Sequence, residues 1–335
     1  MKGRKILFTS KGIAECQPFD VPMPNPNEVL IETDYTVVSA GTERACLLNL
    51  PNVSHSWPKM LGYSGSGHII SVGCEVTEFK IGDRVLTDHL GHCSHTLATF
   101  QKNRDGFFPI NEDVTQLEAA FVVIGSMGVQ GARKTKLQLG ESAMVTGLGI
   151  LGLFAVQALS AMGGLPVIAV DFEESRRNVA LELGADYALS PAQPNFFEQV
   201  QELTRNRMIN ANVEVTGSSK ALVQALEVAA WEGRIALTGC TRVSDTPIDF
   251  YRQVHKPGIQ IIGAHNHVRP QEDSYEGYWT RHDDFSMLLR MLSMGKMNVQ
   301  PILSEIVSPA KATKLYKKLS EDTNFPLGIA FDWHQ

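Results

Sequence analysis

Gly147-Leu148-Gly149-Ile150-Leu151-Gly152 follows a short apolar run, Ser142 to Thr146, and opens a mostly apolar, helix-forming stretch, Leu153 to Met162, that Gly163-Gly164 stops. A second apolar run, Pro166 to Val170, ends on Asp171, nineteen residues after Gly152. A bare Gly-x-Gly-x-x-Gly is a weak signal. Strand, glycines, helix, strand and terminal acid in this order specify a dinucleotide-binding βαβ unit. Gly147 permits the tight turn, Gly149 lets backbone approach a pyrophosphate, and Gly152 allows close helix–strand packing. The N–H groups of the following turn, from Ile150 and Leu151 onward, face the phosphates. Asp171 accepts hydrogen bonds from a ribose 2′-OH and repels a 2′-phosphate, so the expected cofactor is NAD(H) rather than NADP(H).

The chain has 335 residues, too many for one ordinary core, and two domains are expected. Its hydrophobic content of 43% and charged content of 20% are globular values. A net charge of −6, with no basic patch beyond the helix face of Lys314, Lys317 and Lys318, argues against a nucleic-acid partner. No apolar run is long enough to span a bilayer, and the basic start, Met1 to Lys5, is followed by no signal-type apolar segment. The five cysteines form no Cys-x-x-Cys pair, which points to reduced thiols in a cytoplasmic protein.

Two textures divide the chain. Residues 1–124 read as short strands rich in turn signals, at Lys5 to Phe8, Glu28 to Val38, Gly67 to Val72 and Arg84 to Thr87, and predict a small, partly open β-barrel. Residues 125–264 alternate strands and helices and predict an α/β domain, a parallel sheet with helices on both faces. Its further elements are a helix from Glu173 to Leu183, strands at Asn212 to Val215, Arg234 to Thr238 and Gln260 to Ile262, and a helix from Lys220 to Ala230. Residues 265–335 form a tail with helices at Asp284 to Met294 and Pro309 to Leu319 and a strand at Leu327 to Phe331.

Val38-Ser39-Ala40-Gly41-Thr42-Glu43, Leu61-Gly62-Tyr63-Ser64-Gly65-Ser66-Gly67, Phe79-Lys80-Ile81-Gly82-Asp83-Arg84-Val85, the glycine fingerprint, Val215-Thr216-Gly217 and Gly233-Arg234-Ile235 occur in a fixed order. In that order the chain resembles the medium-chain dehydrogenase/reductase superfamily over essentially its full length. It is similar to sorbitol and threonine dehydrogenases, and Ser-Ala-Gly-Thr-Glu is also similar to bacteriochlorophyllide dehydrogenases. The resemblance implies a GroES-like β-barrel interrupted by a Rossmann doubly wound parallel sheet, with the tail returning to the barrel. It also implies a homodimer or homotetramer, with the Gln260 to Gly263 strand pairing with its symmetry mate.

Against the zinc-dependent members of that superfamily the chain departs where the ligands should be. The cysteine, histidine and third ligand positions hold Ala40, Tyr63 and Val123, Ser64 stands where the histidine is followed by glutamate, and the four-cysteine structural lobe is missing. These side chains cannot replace thiolate, imidazole and carboxylate around a tetrahedral ion, so no metal is expected. A rival ligand set, Asp88-His89-Leu90-Gly91-His92-Cys93-Ser94-His95, has its histidines split between the two faces of an extended segment, unless Gly91 folds the loop around an ion.

Without a metal, a side chain must carry the proton of the reacting alcohol. The resemblance assigns Tyr63 to a former ligand position, Thr42 to a proton-relaying hydroxyl, His89 to the substrate pocket, and His265 with Asn266 to the nicotinamide end. Tyr63 and His89 are the candidates for proton carrier, although Tyr63 could simply fill the volume a zinc site would take. His265 is the candidate for which a structural role is expected, and Glu43 is expected to pair with a basic residue or cap backbone. Further cofactor contacts are expected at Arg176, Thr216, Thr238, Gly239 and Ala264. Tyr275 to Asp284 mixes aromatic and charged groups that could grip a polyhydroxylated ring or form a packed loop or subunit contact.

The expected function is NAD-linked, zinc-independent hydride transfer between a secondary alcohol and a ketone, on a small molecule such as a sugar, sugar acid, polyol or glycoside. Reduction of a quinone or enone, oxidation of a bulky pigment alcohol, and a dinucleotide-binding sensor without turnover are the alternatives.

Overall fold

The computed structural model describes residues 1–100, 106–321 and 325–335. Its internal contacts divide the chain into two units. One comprises Met1–Ile124, Phe285–Gly295 and Leu303–Gln335; the other comprises Gly125–Asp284 and Lys296–Ile302.

In the first unit β1 (Lys2–Ser10) and β2 (Ile13–Asp20) form an antiparallel hairpin. β3 (Glu28–Val37) leads to helix α1 (Ala40–Leu48), followed by β4 (Ser64–Val72), β5 (Arg84–Asp88), β6 (His95–Thr99), β7 (Phe107–Pro109) and the short helix α2 (Gln116–Ala120). Helix α3 (Val122–Lys134) carries the chain onward.

The second unit then alternates: β8 (Ala143–Thr146), α4 (Ile150–Ala161), β9 (Val167–Val170), α5 (Glu174–Glu182), β10 (Tyr187–Leu189), α6 (Phe196–Leu203), β11 (Ile209–Glu214), α7 (Ser219–Glu227), β12 (Ala229–Leu237) and β13 (Gln260–Gly263). All pairings are parallel, in the order β10-β9-β8-β11-β12-β13. This is the doubly wound dinucleotide-binding order, and it reverses between β8 and β11. Every residue of β8 and β9 is buried, as expected of strands covered on both faces. Helix α4 is apolar almost all round and buried along nearly its whole length for the same reason.

After α8 (Arg281–Ser293) come β14 (Leu303–Val307), α9 (Ala312–Glu321) and β15 (Gly328–Asp332). β15 pairs with β3, completing a sheet in the order β14-β15-β3-β4-β5-β7, with β6 also on β3. A largely antiparallel sheet and the expected doubly wound parallel sheet are therefore both present. Helix α9 is amphipathic: Ala312, Leu315, Tyr316 and Leu319, at i, i+3, i+4 and i+7, are buried. They pack with Ile6, Phe8, Leu47, Phe331 and Trp333, so the first and last strands share one core.

Two boundaries differ from the sequence reading. The tail does not leave the Rossmann unit at residue 265: residues 265–284 and 296–302 stay with it. The reason is a buried charge cluster, in which Asp284 meets Arg269 at 3.1 Å and Arg133 at 2.9 Å. A charged group that far from water is held by its partners, and both partners lie in this unit. The helix expected over residues 220–230 also stops early, because Ala229 pairs in register with Ile209 as the start of β12. Ladder pairing outweighs the helical preference of Ala229 and Ala230.

At the end of the chain, His334 Nε2 lies 2.6 Å from Asp34 Oδ1 of β3, and Asp34 raises the histidine pKa above its ordinary value. A raised folded-state pKa means that this contact stabilises fully below about pH 6.5, the unfolded value, and that the contribution is lost as pH rises through the folded value. Thermal melts of wild type and His334→Ala should therefore differ at about pH 6 and converge at about pH 9.

Candidate active site

Each unit carries its own cluster of functional side chains. In the first, β3 gives way to α1 at Ser39, where Glu43 reaches back from the first turn to accept the Ser39 backbone N–H at 2.8 Å. Glu43 is 1% exposed, yet its carboxylate is well provided with donors. Tyr316 O–H of α9 donates to its Oε2 at 2.6 Å, and His92 Nε2 lies 3.1 Å from its Oε1. The other nitrogen of His92 meets Thr36 Oγ1 at 2.7 Å, and Thr36 also accepts Trp333 Nε1–H at 2.9 Å. This network is satisfied when His92 carries its ring hydrogen on Nε2 and Thr36 donates to Nδ1. Burial and the adjacent Glu43 carboxylate push the Tyr316 phenol well above its usual pKa. Glu43 thus both caps backbone and pairs with a histidine, as its position suggested.

On this support sits a second group. Ser39 Oγ and Tyr63 OH are 2.7 Å apart. The Tyr63 ring stacks on His89, with centroids 5.4 Å apart and planes inclined by 26°. His89 Nδ1 is hydrogen-bonded to the buried carboxylate of Asp88. The structure therefore brings Tyr63 and His89 together and adds Ser39 and also Asp88, which the sequence suggested only within a possible metal loop. Thr42 is exposed on the first turn of α1. Val123 is buried, and Ala40 packs against the core that holds Tyr316.

The loop Asp88 to His95 scatters its histidines instead of converging them. His89 faces Asp88 and Tyr63; His92 faces Thr36 and Glu43; His95 meets Ser94 Oγ at 2.9 Å and has Glu32 at 4.0 Å. Burial pushes the Cys93 thiol up to about 12. Among the described residues no group of three or more His, Cys, Asp or Glu side chains is arranged to hold a metal ion.

In the second unit the glycine turn links the ends of β8 and β9. Gly147, at φ +95°, donates its N–H to Val170 O at 2.8 Å, and Leu148 N–H reaches Asp171 Oδ2 at 2.8 Å. Asp171 Oδ1 accepts Glu173 N–H at 2.9 Å, so the carboxylate is fixed at the end of β9 with lone pairs to spare on each oxygen. Arg177 grips this corner, donating to the carbonyls of Asp171 and Phe172, each at 2.8 Å. Gly149 caps α4 ahead of Ile150, Leu151 and Gly152.

At the end of β11 the buried Glu214 folds the next turn, accepting Thr216 N–H at 2.7 Å, Gly217 N–H at 3.2 Å and the Thr216 hydroxyl. Burial raises the Glu214 pKa, and these donors oppose the rise. Thr238 and Gly239 donate their N–H groups to Glu214 O, each at 2.9 Å. The Thr238 hydroxyl is buried with no hydrogen-bond partner among the described residues. Ala264 is buried, its N–H taken by Leu237 O at 3.0 Å. His265 is largely exposed, and its Nδ1 accepts His267 N–H at 3.2 Å; partial desolvation and the neighbouring His267 lower its pKa, which agrees with a neutral ring. Within Tyr275 to Asp284, two rings are packed against basic side chains: Lys134 lies 3.8 Å from the Tyr278 ring centroid and Arg133 3.7 Å from that of Trp279.

These cradles fit a dinucleotide. A Cβ at Gly149 would meet nothing within 4 Å, which leaves open space over the α4 N-terminus for phosphate oxygens. A Cβ at Gly152 would fall 1.9 Å from Gly147 O, so that glycine serves packing.

Residues 25–136 match the model of the alcohol dehydrogenase GroES-like domain, and residues 151–280 match that of zinc-binding dehydrogenase. The chain belongs to the medium-chain dehydrogenase/reductase superfamily. This places it among the alcohol dehydrogenase-like oxidoreductases. Within the superfamily, sorbitol dehydrogenase of Bacillus subtilis is 28% identical over 257 residues, 68% of this chain and 72% of its own. L-Threonine 3-dehydrogenase of Pyrococcus furiosus is 26% identical over 336 residues, 87% of each chain. The crystal structure of galactitol-1-phosphate dehydrogenase from Escherichia coli shares the fold with a TM-score of 0.84 at 17% identity, covering 98% of this chain and 99% of that one. The superfamily's catalytic zinc does not fit the donor set here. Ala40 and Val123 have no donor atom, and the Tyr63 hydroxyl is engaged by Ser39.

The two glycines separate binding from folding. Gly149→Ala should leave the melting temperature within a degree or two while weakening NADH binding at least about tenfold in a fluorescence titration. Gly152→Ala should lower the melting temperature by several degrees, because backbone must move to admit the methyl.

Proposed function

We propose that the chain is an NAD-dependent, zinc-independent dehydrogenase that interconverts a secondary alcohol and a ketone on a sugar, sugar acid, polyol or glycoside. The observation that carries this reading is the stacked Tyr63–His89 pair, in which Tyr63 is the residue that the resemblance assigns to a former metal-ligand position and its hydroxyl meets Ser39. Bound NAD supplies the hydride acceptor for oxidation, and the chain's own residues must take the proton. His89 is the group suited to this. His92 is buried with both nitrogens engaged. His265 accepts at Nδ1, so its neutral ring carries hydrogen on Nε2 and donates rather than accepts there. His89 uses only Nδ1, and its Nε2 has no partner among the described residues. In this reading the hydroxyl proton passes to His89 Nε2, Tyr63 and Ser39 orient the substrate oxygen, Thr42 presents a further hydroxyl, and His265 donates toward the nicotinamide.

The Rossmann unit supports NAD over NADP through Asp171, whose fixed negative charge is compatible with ribose hydroxyls and opposes a 2′-phosphate. Phosphates are assigned to Gly147, Gly149, Ile150, Leu151 and Gly152. Arg176, Thr216, Thr238, Gly239 and Ala264 line the remaining cofactor path, and the unpartnered Thr238 hydroxyl is the member best explained by a bound group. The hydroxylated substrate class rests on the polar groups at positions 39, 42, 63 and 89 and on the sorbitol relative. A homodimer or homotetramer is supported by the open edge of β13 at the end of the sheet. None of the five cysteines is joined in a disulfide, which supports a reducing, cytoplasmic setting.

Turnover with NAD and a panel of polyols, sugar acids and glycosides tests the reading. His89→Ala should cut kcat about 100-fold or more, and Tyr63→Phe should also lower it, with NADH affinity unchanged in both. Exhaustive chelation should leave activity intact. Loss that zinc restores, or full turnover by the His89 variant, would overturn this proton route.

A further inference from the structure

Asp88 and His89 are neighbours in sequence, and that makes their hydrogen bond unusual. Along a strand, successive side chains point to opposite faces, so residues 88 and 89 should diverge at the end of β5. They meet because His89 leaves the strand at φ +62°, in the left-handed region that non-glycine residues visit uncommonly. Such a conformation persists where its surroundings impose it, and it concentrates at functional sites. Two contacts impose it here: His89 N–H donates to Tyr63 O at 3.2 Å, and the Tyr63 ring covers one face of the imidazole.

The two partners are very differently placed. The Asp88 side chain is 2% exposed, and that of His89 is 55% exposed. A buried carboxylate is a fixed acceptor, and the Nδ1–H of a half-exposed imidazole satisfies it. The consequence for the ring is specific. With Nδ1–H committed inward, the lone pair of Nε2 faces outward, and it is the one nitrogen among His89, His92 and His265 placed to accept a proton from outside.

We propose that Asp88 is a positioning residue that, through the left-handed turn at His89, fixes the Nδ1–H tautomer and orients Nε2 as the proton acceptor of the reaction. This rests on the role of His89 proposed above. The step balances simply. The substrate O–H bond breaks and an Nε2–H bond forms, giving an imidazolium that the Asp88 carboxylate stabilises through the Nδ1–H bond. The alcohol's C–H bond gives its electron pair, as hydride, to NAD.

Ring ¹⁵N spectra of the wild-type protein, assigned with His89→Gln, test the tautomer without any substrate. The expected result is a His89 ring with hydrogen on Nδ1. A ring with hydrogen on Nε2, or rapidly exchanging between tautomers, would overturn the proposal even if the variants fold poorly. Asp88→Asn keeps the volume but offers a flippable amide. It should populate the Nε2–H tautomer and lower kcat about 100-fold, with the KM for the alcohol changed less than about threefold. Asp88→Glu, which retains a carboxylate, should recover part of that loss. If His89→Ala abolishes turnover but Asp88→Asn changes neither kcat nor tautomer, the positioning role fails and the role of His89 stands. If His89→Ala turns over normally, the reading of His89 itself has failed.

Discussion

The GroES-like unit is organised around one buried negative charge. Glu43 takes hydrogen bonds from a backbone N–H at the start of its own helix, an imidazole in the loop before β6 and a phenol on α9, so elements from both ends of the sequence converge on one carboxylate. An unpaired carboxylate in that position would cost several kcal/mol, so the three donors and the acceptor enforce each other. The geometry also sets the candidate chemistry. The Ser39 N–H held by Glu43 belongs to the residue whose hydroxyl meets Tyr63, and Tyr63 in turn roofs His89. A buried charge thereby helps to fix the side chains proposed to meet the substrate.

The Rossmann unit obeys a parallel logic with backbone in place of a charge. Its strands end in a row, and at each end a short-range bond bends the chain: Asp171 holds Leu148 and Glu173, and Glu214 holds Thr216 and Gly217. These carboxylates order the turns before any ligand arrives. Arg177 reinforces the same corner from the following helix.

The sequence was most legible where periodicity and glycine chemistry act locally. The βαβ unit around Gly147 to Asp171 and the strand that begins at Glu28 both follow from spacing. Helix α3 was hidden because Gly125, Gly128 and Gly131 lower its intrinsic preference, and packing compensates. Of the candidate site, Tyr63 and His89 were reachable only by comparison with a family pattern, Ser39 was passed over, and Asp88 was suggested only within a possible metal loop. The Asp88–His89 bond contradicts what strand alternation predicts for adjacent residues, and only the backbone turn at His89 reveals it. Arg269 and Asp284, which keep residues 265–284 in the Rossmann unit, are far apart from Arg133 in sequence and give no local signal.

The glycine face of α3 has one more consequence. A Cβ at Gly128 would sit 2.1 Å from Leu151 O, and one at Gly125 would sit 2.8 Å from the Phe154 ring. At Gly128 backbone lies directly on the backbone of the neighbouring helix, and at Gly125 it lies against a fully buried ring with little room to change rotamer. A displacement of α4, whose N-terminus is the proposed phosphate cradle, would therefore carry α3 with it.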